Sequence, residues 1–250
     1  MSIPLHLLRK QTGGKKEKKV KSDNLMDRIE ECDRAGQYEL DLSHLQLQDW
    51  PQETIILPNI HICKGYGNQF QSVPSFAVFR GLEFIDLSRC QIETVDDMDV
   101  TELFNLKFLN LARNNLKSLP KDIGRLVSLE TLLVDRNQLQ TFPANMGTMR
   151  SLRILDASHN QLVEVGSLLD RIPALEDLNL TGNSLLDKET LGTRTRRLFE
   201  KRELLSSKKS RRAMIERALN INRNTLSREQ EAIFRAIYEG PAKGEVDELP

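Results

Sequence analysis

Cysteine is scarce in this 250-residue chain: Cys32, Cys63 and Cys90 are the only three. An odd number at long spacings suits neither a disulfide framework nor a zinc site, and a reducing compartment is the simpler reading. Aromatic residues make up 5% of a chain that is 39% hydrophobic, so its interior must be built from small aliphatic side chains. Apolar runs fall far short of the roughly 20 residues that span a bilayer. The opening MSIPLHLLRK is too short and too soon interrupted for a secretory signal. The chain therefore reads as intracellular, cytoplasmic or nuclear, with no membrane partner. Because no acid precedes Glu17, an organelle transit sequence stays open as a further reading.

Catalytic motifs are missing too. There is no Gly-rich phosphate loop, no H-E-x-x-H, no G-x-S-x-G and no Cys/His pair at metal spacing. TGGKKEKK (12–19) lacks both the spacing of a phosphate loop and a preceding strand. The four histidines, His6, His44, His61 and His159, fall in unrelated segments. Carboxylates are plentiful, as any solvated surface requires. We read the chain as non-enzymatic, with no catalytic, cofactor-binding or metal-binding residues and no cofactor.

Charge is balanced in total but not along the chain, with 36 basic and 36 acidic residues. Residues 1–22 hold seven Lys/Arg against one acid, 188–223 hold twelve against four, and 224–250 hold three against six. By difference, 23–187 carries fourteen basic and twenty-five acidic residues. An acidic body thus lies between basic flanks.

What the chain has in abundance is self-similarity. NLKFLNLARNNLKSLP (105–120) suits neither a period-2 strand nor a period-3.6 helix over its whole length. Its asparagine position recurs as Leu45, Asn68, Cys90, Asn114, Asn137, Asn160 and Asn183, at intervals of 23, 22, 24, 23, 23 and 23 residues. Around these positions the same frame reads LDLSHLQL, ICKGYGNQF, FIDLSRCQI, FLNLARNNL, TLLVDRNQL, ILDASHNQL and DLNLTGNSL. Such a period marks a stacked repeat protein. Leucines such as Leu109, Leu111 and Leu116 point into a shared interior, while the residues between them alternate outward from a short strand. A buried side chain at the asparagine position can satisfy backbone groups that the following turn leaves unpaired.

This frame, L-x-x-L-x-L-x-x-N-x-L over about 37–187, resembles the leucine-rich repeat. LPKDIGRLVSL (119–129) and FPANMGTMRSL (142–152) resemble the intracellular 23-residue class of Ras-associated scaffolds. In them Pro120 and Pro143 begin the return segment, and Ile123, Leu126, Met146 and Met149 plug the convex side. Repeats three and six lack the proline. The resemblance implies an α/β fold: a right-handed solenoid of about seven repeats, with parallel strands on the concave face and helical caps. It also implies a protein-binding role, by likeness to Ras-associated and phosphatase-regulatory repeat proteins. Bacterial repeat-bearing ubiquitin ligases are enzymatic relatives, but no cysteine follows residue 188 to act as their nucleophile.

Residues 1–21 read as a basic flexible arm. SDNLMDRIEECDRAG (22–36) reads as an amphipathic capping helix, with Ser22 or Asp23 as N-cap, Leu25, Ile29 and Cys32 on one face, and Gly36 as the stop. After the repeats, 188–223 reads as a basic helical extension with Leu198, Phe199 and Leu205, then Met214, Ile215, Ala218 and Leu219, at helical spacing. Within 224–250, Ser227 and Gln230 form a capping-box pair ahead of an apolar stripe of Ile233, Phe234, Ile237 and Tyr238, and the last nine residues look disordered.

Function is then expected on the concave face. Six residues before the asparagine site runs the column Glu39, Ile62, Phe84, Phe108, Thr131, Ile154, Asp177. Four before it runs Asp41, Lys64, Asp86, Asn110, Leu133, Asp156, Asn179, and one before it His44, Gly67, Arg89, Arg113, Arg136, His159, Gly182. Exposed Phe84, Phe108, Leu133 and Ile154 beside a row of Arg89, Arg113 and Arg136 would make a protein-binding hot spot. The arginines have two readings, pairing with Asp86, Asp135 and Asp156 or facing an acidic or phosphorylated partner. The helical tail folding back over Phe84 and Phe108 is a third arrangement.

Our first reading is a signalling scaffold or adaptor whose partner is small-GTPase- or phosphatase-related. The alternative is a subunit of a ribonucleoprotein or other large assembly, contacting RNA through Lys15, Lys16, Arg194, Arg196, Arg197, Lys208, Lys209, Arg211 and Arg212.

Overall fold

A computed structural model of the chain describes residues 25–34, 38–185 without 53, 55, 56 and 58, and 191–204. Within these, seven three-residue strands form one parallel sheet in chain order. They are β1 (Glu39–Asp41), β2 (Ile62–Lys64), β3 (Phe84–Asp86), β4 (Phe108–Asn110), β5 (Thr131–Leu133), β6 (Ile154–Asp156) and β7 (Asp177–Asn179). Register follows the repeat, so Phe84 lies opposite Phe108 and Leu109 opposite Leu132. The central residue of every strand points into the solenoid and is buried, from Leu40 through Cys63 and Leu109 to Leu178.

Parallel neighbours need a crossover connection, and here it runs over the far side of the solenoid. Four repeats place a short 3₁₀ turn there: Val100–Glu102, Ile123–Arg125, Ala144–Thr148 and Leu169–Arg171. Ile123, Leu126, Met146 and Met149 are fully buried beneath them. The first and last of these turns form without a preceding proline, so the leucine frame is enough to close the crossover. Successive turns pack closely. A Cβ on Gly124 would meet the Asn145 carbonyl oxygen at 2.2 Å, which only glycine avoids.

The asparagines hold the repeats together. Asn137 donates from Nδ2 to the carbonyls of Leu111 (2.9 Å) and Val134 (3.1 Å), one just after the preceding repeat's strand and one just after its own. Its Oδ1 accepts from the amide of Leu116 at 3.0 Å. Asn68, Asn114, Asn160 and Asn183 repeat this three-way pattern. Each amide therefore ties its turn to the repeat before it. At Cys90 the same place is filled by a thiol whose contacts to the Gly65 and Ser88 carbonyls are longer, 3.4 and 3.6 Å.

Both ends of the described solenoid are covered. Helix α1 (Leu25–Arg34) turns Ile29 and Cys32 into the core, and Arg28 donates to the carbonyls of Asp41 (3.0 Å) and Ser43 (3.2 Å). Helix α2 (Thr193–Leu204) packs on β7, burying Phe199. Its start is held by Asp170 of the last 3₁₀ turn, which accepts from the Thr195 amide at 2.8 Å and from the Thr195 hydroxyl. A Cβ on Gly192 would lie 2.2 Å from Asp170 Oδ2, so this approach requires glycine. Burial alone would raise the Asp170 carboxyl, but the bonds from Thr195 and the Arg194 amide, with the Arg194 charge, outweigh it and hold the group below its ordinary range.

The basic arm, the N-cap residues Ser22 and Asp23, and the apolar positions from Leu205 onward lie outside the described residues. No described helix is long and apolar enough to cross a membrane.

Two substitutions test this account. Asn137→Ala strands two carbonyls and an amide in the interior, and should cost about 2–4 kcal/mol in urea unfolding. Asp170→Ala removes a helix cap from outside the helix, and should cost about 1–2 kcal/mol, with faster hydrogen exchange confined to 193–204.

Candidate binding face

The pleat sends the first and third residues of each strand to the face opposite the core. Phe84 and Phe108 fall there on adjacent strands, with rings stacked at 4.5 Å between centroids and 3° between planes. The expectation that they are exposed is corrected, because Phe84 is 0% and Phe108 2% accessible. Leu133 and Ile154 are each 5% accessible, so the whole apolar lane from Ile62 to Ile154 is buried. Phe108→Asp would accordingly act on the fold and not only on a partner.

Acids share this lane. Asp86 is buried between β2 and β4, accepting from the Ser88 amide at 2.9 Å and from Asn110 Nδ2 at 3.1 Å. Burial raises its carboxyl against those bonds and the Lys64 charge. Asp156 accepts from the Ser158 amide and hydroxyl and from Asn179 Nδ2. Asp135, Asp156 and Asp177 make a diagonal of buried carboxylates across β5 to β7.

The arginine row has a backbone cause. Position by position, His44, Gly67, Arg89, Arg113, Arg136, His159 and Gly182 all have φ between +53° and +71°. The turn out of each strand therefore needs a left-handed residue, whose amide then donates to the next repeat, as Arg89 does to Ala112 (2.9 Å) and Arg136 to Ser158 (2.9 Å). That geometry turns the side chain outward, and all three arginines are exposed. Asp86 and Asp156 direct their oxygens to serine and asparagine partners instead of forming an ion pair with Arg89 or Arg136.

Two features escaped the sequence reading. A Cβ on Gly67 or Gly182 would lie 2.5 Å from Nδ1 of His44 or His159, so each histidine ring covers the glycine turn of the next repeat. The shared column of His44 and His159 was the available signal, one repeat away from its meaning. The residue before each strand's first also forms a charged column. It runs through His61, Glu83, Lys107, Glu130, Arg153 and Glu176, with Lys107–Glu83 at 2.6 Å, Arg153–Glu176 at 3.1 Å and His61–Glu83 at 3.6 Å. One more column drawn from the repeat frame would have found its alternating signs.

Of the residues expected to contact RNA, Arg194 is committed elsewhere. Its guanidinium donates to the carbonyls of Ile172 (2.7 Å), Pro173 (2.7 Å) and Leu175 (2.8 Å). Arg197 is exposed on α2 and Arg196 half-buried, while Lys15, Lys16, Lys208, Lys209, Arg211 and Arg212 lie outside the described residues. The cysteines are not reactive sites. All three are buried, and burial pushes the Cys90 thiol up to about 11 and raises that of Cys63 as well.

Closely spaced parallel strands, an asparagine ladder and a convex row of short turns define a leucine-rich repeat solenoid. A model described as "Leucine-rich repeat region" matches residues 63–219, more than half of the chain, and the protein belongs to that family. Its members are generally non-catalytic binding scaffolds. A search of curated proteins found no match. Among solved structures, a leucine-rich repeat protein of Leptospira interrogans is 28% identical, with a TM-score of 0.56 over 66% of this chain and 40% of that one. The Arabidopsis receptor kinase HAESA, solved with the peptide hormone IDA and the co-receptor SERK1, is 28% identical with a TM-score of 0.52. That likeness covers 58% of this chain and 26% of the receptor. The chain thus spans less than half the length of either.

The buried carboxylate gives a pH signature. Because the folded pKa of Asp86 is raised, its contribution to stability is fully present below the unfolded carboxylate value and is lost as pH rises through the folded one. From about pH 4 upward, the stability of the wild type relative to Asp86→Asn should therefore fall with rising pH, as read by urea unfolding.

Proposed function

We propose that this chain is a non-catalytic scaffold that holds a protein partner against the concave side of its solenoid, as an adaptor in intracellular signalling. Arg89, Arg113 and Arg136 meet acidic or phosphorylated side chains of the partner at the rim. Phe84, Phe108, Leu133 and Ile154 form the apolar floor behind them. One observation carries this reading: three arginines occupy left-handed turn positions where Gly67 and Gly182 show that glycine fits. A non-glycine residue there costs on the order of 1 kcal/mol, and strain retained in successive repeats points to a use for the side chain. HAESA, solved with a peptide hormone and a co-receptor, is an instance of the same fold engaging polypeptide ligands.

The RNA-contacting alternative is less well supported, because Arg194 spends its guanidinium on the end of the solenoid.

Capture from native cell extract, followed by mass spectrometry and titration, tests the proposal. The double variant Arg89→Glu/Arg136→Glu should bind the captured protein about ten- to a hundredfold more weakly, with thermal stability close to wild type. Unchanged binding, or capture abolished by nuclease, would refute the concave-face reading.

A further inference from the structure

One column of the repeat frame lies away from the concave side and is apolar where nothing in the repeat requires it. Ten residues before the asparagine site stand Arg80, Phe104, Val127 and Arg150, one in each of four successive repeats. They lie where the chain returns from the convex turns to its strand. Phe104 follows the 3₁₀ turn Val100–Glu102 and precedes β4, and Val127 follows Ile123–Arg125 and precedes β5. Neighbouring members sit side by side, since Asn105 Nδ2 donates to the Arg80 carbonyl at 3.1 Å.

Phe104 is 51% and Val127 52% accessible. Phe70, Phe76, Phe79 and Phe199 are each at most 3% accessible, so an open phenylalanine departs from how this chain uses the residue. Single exposed apolar side chains need no explanation, but here an aromatic and an aliphatic one are neighbours. Val78, 45% accessible, belongs to the repeat before Phe104. Stacking does not demand the apolar pair, because the same position is arginine in the repeats on either side.

Positive charge brackets the pair. Arg80 and Arg150 end the column, and Arg125 and Arg171 stand exposed two positions earlier in their repeats. Arg80 meets Glu102 through Nε at 3.4 Å with its side chain 79% accessible. Arg150 and Arg171 form no ion pair among the described residues. An aromatic centre among arginines is the composition of an interface hot spot, and the surface complementary to it carries carboxylates. Three strand spacings from Arg80 to Arg150 amount to about 14 Å, roughly the length of ten helical residues.

This surface is separate from the arginine row. Phe104 precedes β4 and Arg113 follows it, so parallel strands in register put the two columns on opposite edges of the sheet.

We propose that the edge of the solenoid around Phe104 and Val127 is a second docking surface, for a protein segment whose apolar side chains are bracketed by carboxylates. Phe104 and Val127 receive the apolar side chains, and Arg80 and Arg150 pair with the acids at either end. Taken with the concave reading argued above, the chain can then hold two partners at once, one at each edge of its sheet.

Selection from a phage-displayed random peptide library on the full-length protein, counter-selected with Phe104→Asp/Val127→Asp, tests this independently of the concave side. Peptides combining aromatic or aliphatic residues with Asp or Glu should emerge. Their affinity should fall about tenfold or more in Phe104→Asp/Val127→Asp and in Arg80→Glu/Arg150→Glu, and severalfold between about 0.05 and 0.3 M salt. Both variants should unfold thermally like the wild type, because the altered side chains are open to solvent. Enrichment of basic peptides, or of none that separates the wild type from Phe104→Asp/Val127→Asp, would overturn the proposal. So would sedimentation showing a wild-type dimer that the same variant abolishes, since a second copy would then be the occupant.

Discussion

The solenoid depends on a side chain set where the chain leaves each strand, an asparagine amide in five of the seven repeats. A chain leaving a strand toward the interior brings carbonyls and an amide into a place water cannot reach. The asparagine side chain supplies two donors and an acceptor there, bonding its own repeat and the one before it. With that junction closed, the strand can be as short as three residues and the crossover can be filled with aliphatic side chains such as Ile123, Leu126, Met146 and Met149. The position before each asparagine, and before Leu45 and Cys90 in the same frame, lies in the left-handed region, which sets the outward row on which the arginines stand.

Stacking makes each repeat a lid for its neighbour, so the ends are the weak points of the architecture. They are closed by different chemistry. At the first strand, an apolar helix face is pinned by one arginine to two carbonyls. At the last, an aspartate caps a helix while Arg194 satisfies three carbonyls of the preceding loop. Charge that looked like a nucleic-acid surface in the linear sequence is partly structural.

The concave side combines two requirements that pull apart. Its apolar floor favours being covered, and its exposed arginines favour being met from outside. The lane of Phe84, Phe108 and Ile154 is buried, while Arg89, Arg113 and Arg136 stand exposed at the turns beside it.

The seven repeats, their register, the asparagine ladder and the convex plugs were legible in the sequence, because a residue's side of a strand and its place in a repeat follow from local periodicity. Asn137, Leu109 and Met146 could be placed from spacing alone. Periodicity says which face Phe84 and Phe108 take, but not whether anything lies against that face. Their burial is a property of the folded chain, and only the tertiary structure decided it. Arg194 is a similar case: its composition context marked a basic segment, while the carbonyls that claim it lie about twenty residues earlier. The sequence by itself determined the repeat and its direction. Tertiary structure decided which outward positions remain outward, since burial is set by contacts between distant segments and not by the local pattern.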